Sequence, residues 1–288
     1  RSAGLNARPV GPFLPYAPMT RTAFIAGQGA LPALLVSALA AQGDDVLLAE
    51  MEGFPATVPG HPSIRFRIER LVPFLDHLVG QGVERVVMAG AVRRPKLEPE
   101  LFDARTATLV PRLIAAMQLG DDGALREVIA ILEEWDLTVV GVQDILPGLL
   151  PPHGVLTKLT PQQHHETDAG LGEEAVRVMG RDDTGQACIV RAGSVIAREG
   201  PEGTDAMIAA LEPAGAASGI LFKAPKPGQD RRADLPVIGP GTALAAAVAM
   251  LEGIVIEAGG VMVIDAAEVV EILDGQGMFL WVRPKGSA

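Results

Sequence analysis

The chain has 288 residues, a formal net charge of −11, 48% hydrophobic, 20% charged and only 4% aromatic residues. That length and balance suit one large domain or two ordinary ones with a real aliphatic core. The acidity argues against a general nucleic-acid binder, and the scarcity of aromatic rings argues against a stacking platform for single strands.

The first residues, 1–18, hold Arg1, Arg8 and several prolines without an apolar core. They read as a tag or upstream extension rather than a secretory signal, with Met19 as the expected natural start. Residues 22–26 form an apolar strand, followed by Gly27-Gln28-Gly29 and a helical run over 31–42. A strand, a glycine turn and a helix can turn backbone N–H groups toward a phosphate. The full dinucleotide fingerprint is absent, because Ala30-Leu31-Pro32 follows Gly29, and a tight turn needing small residues explains the glycines equally. The apolar run over 30–41 is too short to span a membrane and contains Pro32.

Residues 45–50 read as a strand, 53–62 as a loop, 71–79 as a helix and 84–91 as a strand. Arg93 and Arg94 follow that last strand as a second anion site or a solvated turn. Residues 109–119 read as helical, and Gly120-Asp121-Asp122-Gly123 as an N-cap for a helix over 124–135. Residues 137–142 form another strand. Beyond the proline-rich stretch, residues 162–179 read as a helix, 186–190 and 194–197 as a hairpin, and 206–211 as a helix. A strand over 253–257, a hairpin-like run through 261–264, a helix over 266–273 and a strand over 278–282 complete the chain. This pattern predicts an α/β fold of two domains. An N-terminal, mostly parallel, Rossmann-like sheet occupies residues 19–150, a linker 151–165, and a C-terminal mixed α/β domain 166–288.

The single cysteine, Cys188, excludes an intrachain disulfide and any multi-cysteine metal site, and reads as a small core residue. Its solitude fits a reducing cytoplasm. His61, His77 and His153 lack ligand spacing, and His164 and His165 should diverge on a helix, so no histidine metal site is expected.

The most informative stretch is KAPKPGQDRRADLPVIGPGT (223–242), between a strand and a helix over 242–251. Its prolines make it a stiff loop. It holds four cations (Lys223, Lys226, Arg231, Arg232), two carboxylates (Asp230, Asp234) and the amide of Gln229. Loops beyond the carboxyl ends of strands are where open α/β sheets bind ligands. Cations suit phosphate oxygens and carboxylates suit a divalent metal. An extended backbone near Asp230 would bring Asp230 and Asp234 to one side. The alternative is a solvated turn with surface ion pairs.

Together, IAGQGALP (25–32), MAGAVRRP (88–95), GDDGALR (120–126), GQACIV (185–190), EGTDAMI (202–208), the 223–242 stretch and VIEAGG (255–260) resemble one family. It is the metal-dependent UDP-2,3-diacylglucosamine pyrophosphatases of lipid A synthesis, of the I-type rather than the calcineurin-like H-type. The resemblance runs from about residue 22 to the C-terminus. It implies two α/β domains with the lipid substrate, and the product lipid X, held between them. It implies hydrolysis to 2,3-diacylglucosamine 1-phosphate and UMP, with Mg²⁺, and with water attacking the sugar-side phosphorus. It also implies a cytoplasmic protein in peripheral contact with the inner membrane of a Gram-negative bacterium, with a homodimer left open. On this basis Asp234, Asp230 and Gln229 are the expected catalytic residues. Asp230, Asp234, Asp205 and Glu202 are the expected metal ligands. Lys223, Lys226, Arg231, Arg232, Gly27, Gln28, Gly29, Arg93 and Thr204 are the expected substrate contacts. A non-catalytic nucleotide-sugar-binding protein is the alternative, and a nicotinamide oxidoreductase is disfavoured by the missing third glycine.

Overall fold

The computed structural model describes residues 20–56, 58, 60–92, 95–118, 120–212, 215–216 and 218–286, except the side chain of Asp121. The expected extension at 1–18 and the candidate anion-site residues Arg93 and Arg94 lie outside the described residues.

The first half runs β1 (Arg21–Ala26), α1 (Leu31–Gln42), β2 (Asp45–Met51), β3 (Ser63–Phe66), α2 (Leu71–Gly80), β4 (Arg85–Ala89), α3 (Ala104–Ala107), α4 (Val110–Met117), α5 (Gly120–Glu134), β5 (Thr138–Val140) and α6 (Val142–Ile145). Its strands form one sheet in the order β3-β2-β1-β4-β5, with every pairing parallel. Successive strand residues face opposite sides, so each strand feeds two cores. Phe24 packs with Leu35 and Leu39 of α1 on one face. Its neighbour Ala23 packs with Leu75 of α2 and Ile131 of α5 on the other. The GDDG motif does not precede its helix as a cap: α5 begins at Gly120 itself. Strand β3 was not legible because only Ile64 and Phe66 of SIRF are apolar, as befits a sheet edge.

The second half runs β6 (Gly154–Val155), α7 (Gln163–Arg181), β7 (Ala187–Arg191), β8 (Ser194–Arg198), α8 (Gly203–Ala209), β9 (Ile220–Lys223), β10 (Val237–Ile238), α9 (Pro240–Val248), β11 (Gly253–Glu257), β12 (Met262–Val263), α10 (Ala266–Gly275) and β13 (Phe279–Arg283). Its main sheet has the order β6-β13-β11-β9-β7-β8. Strands β9, β11 and β13 are parallel, whereas β7 pairs antiparallel with β8 and β9. The β7–β8 turn passes through Ala192 and Gly193, both at positive φ (49° and 75°), as a two-residue hairpin requires. Helix α7 covers one face through Ala169 and Val176, while α8, α9 and α10 cover the other.

Two expectations change here. Residues 151–165 are not all connector: Gly154–Val155 pair antiparallel with β13 as an edge strand, and α7 begins at Gln163. An edge position tolerates the flanking prolines because one side needs no ladder bonds. The run through 261–264 is not a hairpin either: β12 pairs parallel with β10 in a separate two-stranded sheet. That small sheet joins the halves, because Leu235 and Met262 are buried in the core around Phe24 and α1. The loop after β9 is therefore anchored in both domains.

Candidate active site

A cleft of about 500 Å³ opens between the domains. It lies where the chain leaves β1, β4 and β9, the ligand-binding edge of α/β sheets. Gln28 and Gly29 line it from the β1–α1 turn, Gly90 and Ala91 from beyond β4, and Lys223, Arg231 and Asp234 from the second domain. Helix α1 points its start into the cleft with no side-chain cap and no acid in its first turn, so its orphan N–H groups suit an anion. Gly27 does not line the cavity. It lets two backbones cross, since a Cβ there would lie 2.6 Å from the carbonyl of Gly90. A Gln28–Ala91 bridge closes that crossing.

Lys223 is the buried cation of the cleft, 6% exposed at the carboxyl end of β9. Its Nζ donates to Thr204 Oγ1 at 2.7 Å. The Thr204 hydroxyl donates onward to Glu199, whose other oxygen accepts from the Gln186 N–H at 2.7 Å. Burial pushes the Lys223 pKa down, while Glu199, Asp205 and Asp234 pull it back up. A buried ammonium tethered at one proton keeps two more for a ligand.

The loop then divides. Asp234 lines the cleft, and Gln229 Nε2 donates to its Oδ2 at 2.8 Å. Its side chain is exposed to the cleft. Desolvation by the surrounding protein pushes its pKa up, against the pull of Lys226 and Lys223. Asp230, by contrast, turns away. Arg232 grips it at 2.8 and 3.0 Å and holds its pKa below the usual range. Arg232 also reaches Glu133 of α5 at 2.6 Å, and the Asp230 N–H donates to Asp122 at 3.3 Å. The backbone is not extended here, because Asp230 O accepts from the N–H groups of Ala233 and Asp234. The two acids therefore do not share a side as the sequence suggested. Lys226 pairs with Asp183 at 2.5 Å rather than facing the cleft. Gln229 orients Asp234 instead of lining the cavity. Arg231 lines it while donating to Gly259 O at 3.0 Å. Glu202, Thr204 and Asp205 line it from the start of α8.

The four expected metal ligands do not form a cage. Among the described residues, the group of three or more ligating side chains with atoms within 4.8 Å of one another is His164, His165 and Glu252. Their rings do not diverge; the centroids stand 3.8 Å apart at the start of α7. The cluster is nevertheless unsuited to a metal. His165 Nδ1 accepts from the Gln162 N–H at 2.8 Å, so Nε2 carries the ring proton and faces Glu252 at 3.3 Å.

Sequence reasoning missed Glu199, Gln143 and Gln186. Glu199 is 8% exposed at the end of β8, but in EGPEGTD nothing distinguishes it from Glu202. Gln143 of the first domain donates to Arg231 O at 3.2 Å across the cleft. The side-chain oxygens of Gln143 and Gln186 are buried without a partner, a cost that a bound donor would relieve.

Residues 21–149 match the family described as LpxI N-terminal domain, and residues 152–281 the LpxI C-terminal domain. The chain belongs to the LpxI family. A Caulobacter vibrioides protein named UDP-2,3-diacylglucosamine pyrophosphatase LpxI is 36% identical over 271 residues, covering 91% of this chain and 97% of its own length. The break between the two LpxI domains falls just before β6, where the chain crosses from one sheet to the other. The cleft of this LpxI member fits a magnesium ion held by one or two carboxylates together with phosphate oxygens, the usual habit of Mg²⁺. Asp234, Asp205 and Glu202 line that cleft; Asp230, engaged by Arg232, does not fit the set.

Proposed function

We propose that the chain is a magnesium-dependent hydrolase of UDP-2,3-diacylglucosamine, producing 2,3-diacylglucosamine 1-phosphate and UMP. The observation that carries this is the interdomain cleft of an LpxI-family chain, which buried Lys223 and the carboxylate of Asp234 line together. Water adds to the sugar-side phosphorus, the bond from that phosphorus to the bridging oxygen breaks, and UMP leaves with that oxygen. Lys223, Arg231 and the start of α1 hold the pyrophosphate oxygens and take up the charge that develops on them. Asp234 would hold the cation together with phosphate oxygens, with Asp205 or Glu202 as the further carboxylate that lines the cleft, and its raised pKa also suits it to draw a proton from water. Magnesium, when bound, supplies Lewis-acid neutralisation of phosphate charge. Gln229 fixes the Asp234 carboxylate.

A diacylated substrate brings the protein to the inner-membrane surface from the cytoplasmic side. Among the described residues, no helix is long and apolar enough to cross a membrane, which supports peripheral contact. The test is incubation with UDP-2,3-diacylglucosamine with and without Mg²⁺. UMP should appear only with the metal, and turnover in ¹⁸O-water should label the lipid monophosphate. Label in UMP would reverse the attacked phosphorus; no UMP under either condition would sink the activity.

A further inference from the structure

A carboxylate in direct contact with the Lys223 ammonium would take a proton that a phosphate oxygen needs, since each of the three protons serves one acceptor. The sheet keeps the buried acid nearby but out of direct reach. Its strand order β9-β7-β8 sets Lys223 opposite Ala187, and the Glu199 N–H donates to the Ala187 carbonyl at 2.9 Å. Glu199 therefore stands two strand steps, about 10 Å of backbone, from Lys223. Thr204, in the first turn of α8, bridges the two side chains. We propose that Glu199 is a positioning residue of the hydrolase: acting through the Thr204 hydroxyl, it fixes the Lys223 ammonium with its remaining protons turned to the cleft. The inference rests on the hydrolase reading above.

Proton counting gives the chain its direction. A hydroxyl has one proton to donate, and a carboxylate only accepts. Thr204 gives its proton to Glu199, so it meets Lys223 as an acceptor, and Lys223 Nζ donates to it at 2.7 Å. Without Glu199 the hydroxyl would be free to rotate and to aim its proton elsewhere. Glu199 itself is held on every side. It is 8% exposed, and its second oxygen accepts from the Gln186 N–H at 2.7 Å. Gly185 passes so close that a Cβ there would lie 2.5 Å from the Glu199 carbonyl oxygen. The negative charge thus stays one residue removed from the ammonium. Burial lowers the Lys223 pKa, and among the acids that oppose this, Glu199 leads, ahead of Asp205 and Asp234.

The direct test reads the ammonium itself. In protein labelled with ¹⁵N at the lysine Nζ, a buried and tethered ammonium exchanges its protons slowly enough to give its own NMR cross-peak. Lys223→Met assigns that peak by its disappearance. Glu199→Gln and Thr204→Val should each shift or broaden it, and Thr204→Ser, which keeps the hydroxyl, should recover it. No Lys223 peak in the parent, or a peak indifferent to Glu199→Gln, would overturn the positioning role. Should Glu199→Gln fail to fold, the Thr204→Val and Thr204→Ser pair decides the question in the same way. The second readout is UMP release with Mg²⁺. Glu199→Gln should lower kcat roughly tenfold with little change in KM. In the Lys223→Met background the same change should cost little more. An unchanged kcat, or an equal loss in both backgrounds, would show that Glu199 does not act through Lys223. A tethered ammonium in a chain that releases no UMP would sink the hydrolase reading alone, so the two failures are distinguishable.

Discussion

Asp230 and Asp234 sit four positions apart in one loop, and the structure gives them opposite surroundings. Asp230 belongs to an interdomain clamp of Arg232, Glu133 and Asp122. Asp234 belongs to the cleft, oriented by Gln229 and drawn toward Lys223. The first is a satisfied ion pair whose charged form is stabilised. The second is a cleft-lining carboxylate whose pKa desolvation pushes up, against the pull of Lys226 and Lys223. Equal chemistry in the sequence therefore becomes a satisfied ion pair at one end of the loop and a cleft-lining acid of raised pKa at the other.

The largest expected effect tests the reactive end. Asp234→Ala should leave the melting temperature near that of the parent and lower kcat by roughly 10²-fold or more, measured as UMP release. Normal turnover would dissolve the contrast. Next is Lys223→Met, expected to lower turnover by about 10- to 100-fold. The fall should be similar at every pH at which the parent's Lys223 is charged.

Arg232→Ala should act on the clamp. It removes the contacts to Glu133 and Asp230, and partly exposed pairs contribute about 1 kcal/mol or less each. The expected loss is roughly 2–4 °C in Tm for each kcal/mol, with a turnover change far below that of Asp234→Ala. A 10²-fold loss of kcat would place Arg232 in the chemistry instead.

The smallest and sharpest test compares two asparagine variants by thermal melting across pH. The folded pKa of Asp230 lies below the ordinary 3.8, so its contribution is present above that value and lost as pH falls through the folded pKa. The folded pKa of Asp234 lies above 3.8, so the folded state is favoured while that group is protonated and loses stability as pH rises through the folded pKa. At pH 7, Asp230→Asn should melt below the parent and Asp234→Asn above it. Both differences should shrink in acid. Shifts of the same sign at pH 7 would merge the two environments.

Much of the fold was legible because it follows from periodicity. The strands β1, β2 and β4 are apolar runs bounded by turns, and α1 was expected over the residues it occupies. The β7–β8 hairpin was readable from Arg191-Ala192-Gly193. The failures were short or shared elements. Strand β3 has too few apolar positions to announce itself, β6 borrows its order from β13, and β12 pairs with β10 across a long separation.

The sequence by itself determined the α/β class, the stiff loop after β9 and the presence there of cations and acids, because these depend on local residue types. It also carried the likeness to the LpxI family through contiguous motifs. Only the tertiary structure decided which charges face each other. Arg232 chooses Asp230 because α5 brings Glu133 alongside, Lys226 is drawn to Asp183 beyond α7, and Glu199 enters the cleft because β8 ends beside Thr204. Gly27 is required by its close crossing with Gly90, on a separate strand connection. These are contacts between segments far apart in the chain, and no local pattern encodes such a distance.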